Sequence, residues 1–542
     1  MFKLPIEYNG DKLVQNIVDD LELDNCYKCI INNSLLRDKW TSYFSSDKLF
    51  LLDTQNIIKN FKSNKYEFKE IYEQYKTIRN ESSFIDKYQY IPFEIAEKLN
   101  KSTTFMQLFS YYNLSAPIFS IITPIIILIM PYFIIKLSNS DFDDDLSMKL
   151  YLEVLKEKAG ELNFFNIFDT TTSIETKFKT FISFLFYLFQ IYQNIMSCIK
   201  FYLNINNISE YISNFKKLLI KSINLADDIL NIVDKYESYE LFKDDIKIRR
   251  TSLTKYLSSM DNIIETNSIL VNLVQIGNMM TTFYKIYSDN NISDVIDYMY
   301  LLNEYNDDMH DISTLISNKK LNICSFNNVT KINKGFYILH MDNDNNIKNN
   351  IDLSNNILIT GPNASGKTTI LKSIFINNIL SQQIGFGCYE SAEINIYNYF
   401  HSYINIPDTS DRDSLFQAEA RRCKDILEFV TLHSNKKHFC IFDEIYSGTN
   451  PQDATSCAKL YVKGLDKFSN VSFIVTTHYI DLCKSFENGN NDNVNNYKMD
   501  VEIDKNNDIC KYLYTISKGI SEIHGGIKIL RDMEYPEYLF DL

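Results

Sequence analysis

Gly361-Pro362-Asn363-Ala364-Ser365-Gly366-Lys367-Thr368-Thr369 carries the densest chemistry in the chain. It fits G-x-x-x-x-G-K-[ST], a loop whose backbone N–H groups wrap phosphate oxygens at the start of a helix. The apolar run Ile357-Leu358-Ile359 before it reads as a short buried strand. After it, Ile370, Leu371, Ile374, Phe375, Ile379 and Leu380 recur at helical spacing. Strand, loop and helix therefore come in the order a triphosphate site needs. In such a site Lys367 reaches the β- and γ-phosphates of ATP, and the Thr368 hydroxyl ligates Mg²⁺.

A second buried-strand run, Phe439-Cys440-Ile441-Phe442, ends in the acid pair Asp443-Glu444. Asp443 is placed to serve the Mg²⁺, and Glu444 to take a proton from an attacking water. A turn, Ser447-Gly448-Thr449-Asn450, follows. A third apolar run, Val471 to Val475, leads into Thr476-Thr477-His478-Tyr479. A histidine at a strand's carboxyl edge beside a nucleotide is a candidate γ-phosphate sensor, although a lone histidine is more often structural. Together these residues predict ATP hydrolysis, with Glu444, Lys367 and His478 in the chemistry and Thr368 and Asp443 on the metal.

The series GPNASGKTT, Gln383-Ile384-Gly385, DEIYSGT and TTHY resembles the ATPase domain of MutS-type DNA mismatch-repair proteins. Ser414-Leu415-Phe416-Gln417-Ala418-Glu419 looks like that family's S-T-F-M-x-E segment. Asn350 to Leu353, Tyr514 to Gly519, His524 to Ile527 and Tyr535-Pro536 are similar to flanking family segments. The resemblance runs from about Phe336 to the C-terminus. It implies that Ser414 is presented to the nucleotide of an opposite subunit, and hence composite sites in a homodimer, or in a heterodimer with another MutS-like subunit. DNA is the implied partner, and the cytoplasm or a site of DNA replication the implied location. Asp413 stands where the family usually has a small residue, and no helix-turn-helix extension follows Tyr535-Pro536. The L-S-G-G-Q signature of ABC transporters is missing, which separates the chain from that related class.

The elements that must position these residues fall into two unlike parts. Of the 14 glycines, only Gly10, Gly160 and Gly277 precede residue 335. A stretch so poor in glycine is mostly helix, whereas the remainder has the glycine turns of an α/β sheet. From Ile208 to about Ser317, apolar residues at three-and-four spacing predict long amphipathic helices, in the family's position for levers. The expected fold is multidomain, a mainly α-helical core and lever region followed by an α/β P-loop ATPase domain of the ABC/MutS-like kind. Its divisions are 1–116, helical; 117–203, hydrophobic and helical; 204–330, lever helices; and 331–542, the ATPase domain.

A net charge of −14 supplies no global basic field for nucleic acid. Lys216, Lys217, Lys221, Lys247, Arg249 and Arg250 are candidate local patches. Phe68-Lys69-Glu70 has the letters of the mismatch-reading F-x-E motif but lies in a charged helical stretch and reads as coincidence. Scattered cysteines suit a reduced compartment, and Cys26-Tyr27-Lys28-Cys29 lacks the partners a zinc site needs. No secretion signal is visible at the N-terminus.

Residues 117–135 contain no charge and are just long enough to cross a bilayer core. Pro117, Pro124 and Pro131 recur within them, and a weaker apolar run follows from Phe181 to Ile199. A hairpin with both ends cytoplasmic is one reading, with the membrane as a partner through 117–135. The other is a core element, or a self-association surface, of a soluble helical domain. The expectation leans to the soluble reading, because Gln190, Gln193 and Asn194 suit lipid poorly.

Overall fold

The computed structural model describes all residues except 94–96, 139–147, 149–150, 152–172, 265–268, 344, 405–414, 488–492, 504–508, 524–529, 531–532 and 537–542. Ser414, Asp413 and the His524 to Ile527 segment thus lie outside the described residues. The chain forms two compact units. One comprises 1–66, 225–249 and 297–542, and the other 67–224 and 250–296.

The first unit is built on a six-stranded sheet. Its strands are β1 (Asn356–Thr360), β2 (Tyr399–Tyr403), β3 (His438–Asp443), β4 (Val471–Thr477), β5 (Val494–Ile503) and β6 (Ile509–Lys518). They lie in the order β6-β5-β1-β4-β3-β2, parallel except for the β5–β6 pair. Register places Phe442 beside Val475, and Val475 beside Leu358. Because side chains alternate across a strand, Cys440 and Phe442 join a core with Ile426, Val430, Ala458 and Val462 from the helices Leu415–Leu432 and Pro451–Leu465. Phe439 turns to the opposite face, where it meets Phe375 of the helix Lys367–Ile384. Both faces are thus covered, which is why these strands read as continuous apolar runs. A five-stranded sheet lies beside it, in the order Asn349–Asp352, Lys331–Gly335, Ser391–Asn395, Asn322–Asn327 and Phe386–Gly387.

Residues 1–66 belong to this unit, a placement the sequence did not signal. The helix Lys367–Ile384 ends in two buried glutamines whose side-chain amides hold the N-terminal segment. Gln382 Nε2 donates to the Ser45 carbonyl at 3.0 Å, and Gln383 Nε2 to that of Trp40 at 2.7 Å. Gln55 Nε2 in turn donates to the Gly385 carbonyl at 2.7 Å. Gly385 has φ +78°, and a Cβ there would fall 2.1 Å from Gln55 Cγ, so only glycine can end the helix here.

The second unit is helical. Its core gathers Phe84, Tyr90, Met106, Phe201, Ile205, Ile212 and Phe283. Phe68 is buried at the start of the helix Lys69–Arg79, in keeping with F-K-E as a coincidence of letters. The long helices Thr103–Ser138 and Ile174–Val233 contain the apolar stretches. Large side chains of 117–135 lie open in the single chain. Ile118 is 58% exposed, Ile121 51% and Phe133 52%, and the second stretch is equally open at Phe186 and Phe189. The first helix bends by 54° between Ile126 and Ile129. Pro131 cannot donate to the carbonyl four residues back, and the bend falls there.

Candidate functional site

The predicted chemical residues that the structure describes meet at one end of the six-stranded sheet. β1 delivers the loop, β3 the acid pair and β4 His478, all at the strands' carboxyl ends. The loop's shape is set by Ala364 at φ +62° and Gly366 at φ +93°, which turn successive N–H groups inward before the helix begins at Lys367. A Cβ on Gly366 would approach the Tyr514 ring at 3.0 Å, and one on Gly361 would meet Met499 at 2.7 Å.

Lys367 is buried, and its Nζ donates to the carbonyls of Gly361 at 3.1 Å and Pro362 at 3.3 Å. Glu444 Oε1 lies 3.4 Å from it and His478 Nε2 3.2 Å. Burial pulls the Lys367 ammonium below its ordinary pKa, with Glu444 and Asp443 opposing. Glu444 Oε1 pairs with His478 Nε2 at 2.8 Å. That hydrogen bond is the largest influence on Glu444 and, with Lys367, holds its carboxyl below the ordinary range. A carboxylate so held is ionised at neutral pH and can accept a proton from water.

The metal pair is also brought together. Thr368 Oγ1 donates to Asp443 Oδ2 at 2.8 Å, while Thr476 Oγ1 donates to Asp443 Oδ1. Adjacent ligands of an octahedral Mg²⁺ stand about 3 Å apart, so this oxygen pair fits the ion. Thr476 also takes the Glu444 backbone N–H on its carbonyl at 3.1 Å, fixing the acid pair to the neighbouring strand. Ser365 Oγ is buried without a hydrogen-bond partner among the described residues, a donor left for a ligand oxygen.

Beside the loop opens a cavity of about 480 Å³, large enough for a nucleotide. Phe336, Tyr337, His340, Asn349, Asn377 and Tyr514 line it, and sequence reasoning assigned none of them a role. They come from segments that carry no motif, and only Tyr514 lay within one quoted for the family resemblance. Asn349 ties two of these segments together, donating to the Tyr514 carbonyl at 3.1 Å and accepting from the Ile516 N–H at 2.9 Å.

Glu419 is the other residue without an assigned role. It is buried on the helix Leu415–Leu432 and accepts from Ser447 N at 3.1 Å, Ser447 Oγ at 2.9 Å and Gly448 N at 3.1 Å. It thereby locks the turn after the acid pair to the helix that starts one residue past Ser414. Its signal in sequence was its place as the closing acid of the segment similar to S-T-F-M-x-E. The basic candidates fare differently. Lys216 Nζ donates to the Ile263 carbonyl and Lys221 Nζ to that of Glu67, while Lys247 and Arg249 pair with Asp244 and Asp245. These cations serve contacts within the chain.

The C-terminal region of the chain is similar to known proteins. Residues 357–541 match the family model of MutS domain V. The DNA mismatch repair protein MutS of Finegoldia magna is 30% identical over 183 residues, which is 34% of this chain and 20% of that protein. MutS of Prochlorococcus marinus is 32% identical over 186 residues, again 34% and 20%. Endonuclease MutS2 of Streptococcus uberis is 30% identical over 128 residues, 23% of this chain and 16% of that protein. The matched stretch therefore spans about a fifth of the length of these relatives.

Proposed function

Since the C-terminal third of the chain belongs to the MutS family, we propose that this protein binds and hydrolyses ATP and turns the cycle into clamping on DNA. The observation that carries the reading is the meeting of Lys367, Thr368, Asp443, Glu444 and His478 from three strands at one sheet edge. The backbone N–H groups of Asn363 to Thr369 and the Lys367 ammonium hold the triphosphate. Thr368 and Asp443 hold Mg²⁺, which supplies charge neutralisation for the phosphoryl oxygens when bound. Glu444 takes a proton from water as that water attacks the γ-phosphorus and the bond to the bridging oxygen breaks. His478 fixes the Glu444 carboxylate and faces the γ-phosphate.

Ser414, adjoining the helix that Glu419 ties to the acid-pair turn, completes the site of a second subunit, so the working form is a dimer with two composite sites. The helical segments within 204–330, Asn290–Ser317 among them, serve as levers that carry closure away from the nucleotide. DNA enters as the partner through the names of the relatives, mismatch repair protein and endonuclease, with mismatched or branched duplex as the class.

The test is Glu444→Gln. Mg-ATP binding should survive, turnover should fall by about 10²–10⁴, and ATP should trap a dimer by light scattering. Binding to mismatched, branched and homoduplex DNA, with and without ATP, then reads the output. Parental turnover in Glu444→Gln refutes the hydrolytic assignment, and nucleotide-independent failure on all three DNAs refutes clamping.

A further inference from the structure

The nucleotide site leaves one large feature unused, the two apolar helices of the second unit. Among the described residues, Lys177–Val233 and the bent pair Thr103–Ile126 with Ile129–Leu137 are long and apolar enough to cross a membrane. Composition alone is weak evidence, because core helices pass the same test. Only parts of these helices are open: large side chains from Ile118 to Ile134 and from Phe178 to Ile199 face solvent, among them Phe119, Ile125, Phe186 and Phe189, whereas Met106 and Phe201 to Val233 pack into core.

Three hydrogen bonds fix how the helices pair. Cys198 Sγ donates to the Leu114 carbonyl at 3.4 Å, Tyr187 Oη donates to the Ser120 carbonyl at 2.7 Å, and Asn194 Nδ2 donates to Ser120 Oγ. The pairing is antiparallel, with residue numbers of facing positions summing to about 312. Lys200 therefore lies level with Tyr111 and Tyr112, while toward the other end Lys179 stands on one helix and, past the 54° bend, Tyr132 and Phe133 on the other. Between those levels, residues 180–199 of one helix and 113–132 of the other carry no charge. At 1.5 Å per residue that band is roughly 30 Å tall, the thickness of a bilayer's hydrocarbon core. Lysines and aromatic rings mark both rims, where they suit the headgroup level.

The exposed face is also too wide for one protein partner. On a helical wheel the open residues of the first helix before its bend run from Ile121 round to Tyr112, an arc of roughly 180°, against the roughly 100° stripe a packed helix presents. The remaining arc holds Ser120, which faces the second helix. Asn194, whose polarity argued against lipid, is turned inward and bonded to Ser120. Gln190 and Gln193 are left on the open surface. We propose that these paired helices insert into a lipid bilayer and anchor the chain there. The proposal stands on the second unit alone, independent of the nucleotide reading.

The experiment uses the full chain. It should stay with membranes through alkaline carbonate, need detergent to dissolve, and float with phosphatidylcholine vesicles after reconstitution. Ile125→Lys with Phe189→Lys should lower the bound-to-free ratio on vesicles by a factor on the order of a hundred or more, since each places a charge within the band. Both sites are exposed, so unchanged far-UV circular dichroism is expected and controls for misfolding. Gln190→Leu with Gln193→Leu should act in the opposite direction and strengthen retention. A detergent-free, monodisperse full chain that fails to float overturns the proposal. So does a discrete oligomer in detergent-free buffer that the double lysine variant dissolves, which would show a second copy covering the surface.

Discussion

Asp308→Asn should stabilise the protein at alkaline pH and leave it nearly unchanged in acid. Asp308 lies on the helix Asn290–Ser317 at 2% exposure, and its Oδ2 has no hydrogen-bond partner among the described residues. Burial, reinforced by Glu304, Asp311 and Asp307, pushes its carboxyl from 3.8 up to about 8, against a backbone hydrogen bond from Asn32. Because the folded value is raised, the neutral acid is the form the fold prefers. Its stability is fully present below about pH 4 and is lost as pH rises through 8. Four units correspond to a ceiling of about 6 kcal/mol, and relaxation around the charge reduces this to about 3 kcal/mol. Removing that penalty at pH 9 should raise Tm by roughly 5–10 °C. Scanning fluorimetry of both proteins from pH 5 to 9 reads the difference. A gap in Tm that stays constant across that range, or a variant less stable than the parent at pH 9, refutes the argument.

Lys367→Ala should weaken Mg-ATP binding by at least about tenfold in calorimetry, because the buried ammonium beside the loop is gone. Glu419→Ala removes three hydrogen bonds to Ser447 and Gly448 and should cost about 1–2 kcal/mol. Its ATP turnover should fall further than its ATP affinity, and equal losses in both would count against a role in holding the acid-pair turn. His401 is pulled down to about 3 by burial and by His438, so it stays neutral in the fold while the unfolded chain takes a proton near 6.5. Its contribution is present above pH 6.5 and is lost as pH falls toward 3. His401→Phe, which keeps the ring packed on Phe429, should flatten that acid arm in urea titrations at pH 7 and pH 4.

The sequence by itself determined the phosphate loop, the acid pair and the strand–helix alternation that presents them. Those signals are local: the glycines and Lys367 act within one turn, and the apolar runs of β1, β3 and β4 reflect strands covered on both faces. It put Thr368 and Asp443 on one metal from the loop motif and the acid at a strand's end, but their 2.8 Å contact follows from β1 and β3 flanking β4 in the sheet. The tertiary structure decided the rest. The cavity wall of Phe336, Tyr337, His340, Asn377 and Tyr514 is assembled from segments far apart in sequence. Gln382 and Gln383 look like polar interruptions of an apolar helix until the N-terminal carbonyls they serve are in view. Burial was the least legible property. An uncharged run is equally consistent with a protein core and with lipid, because periodicity reports which residues are apolar and not what covers them. Only the packing of 103–138 against 174–199 revealed that Asn194 is satisfied and that the isoleucines around it are open.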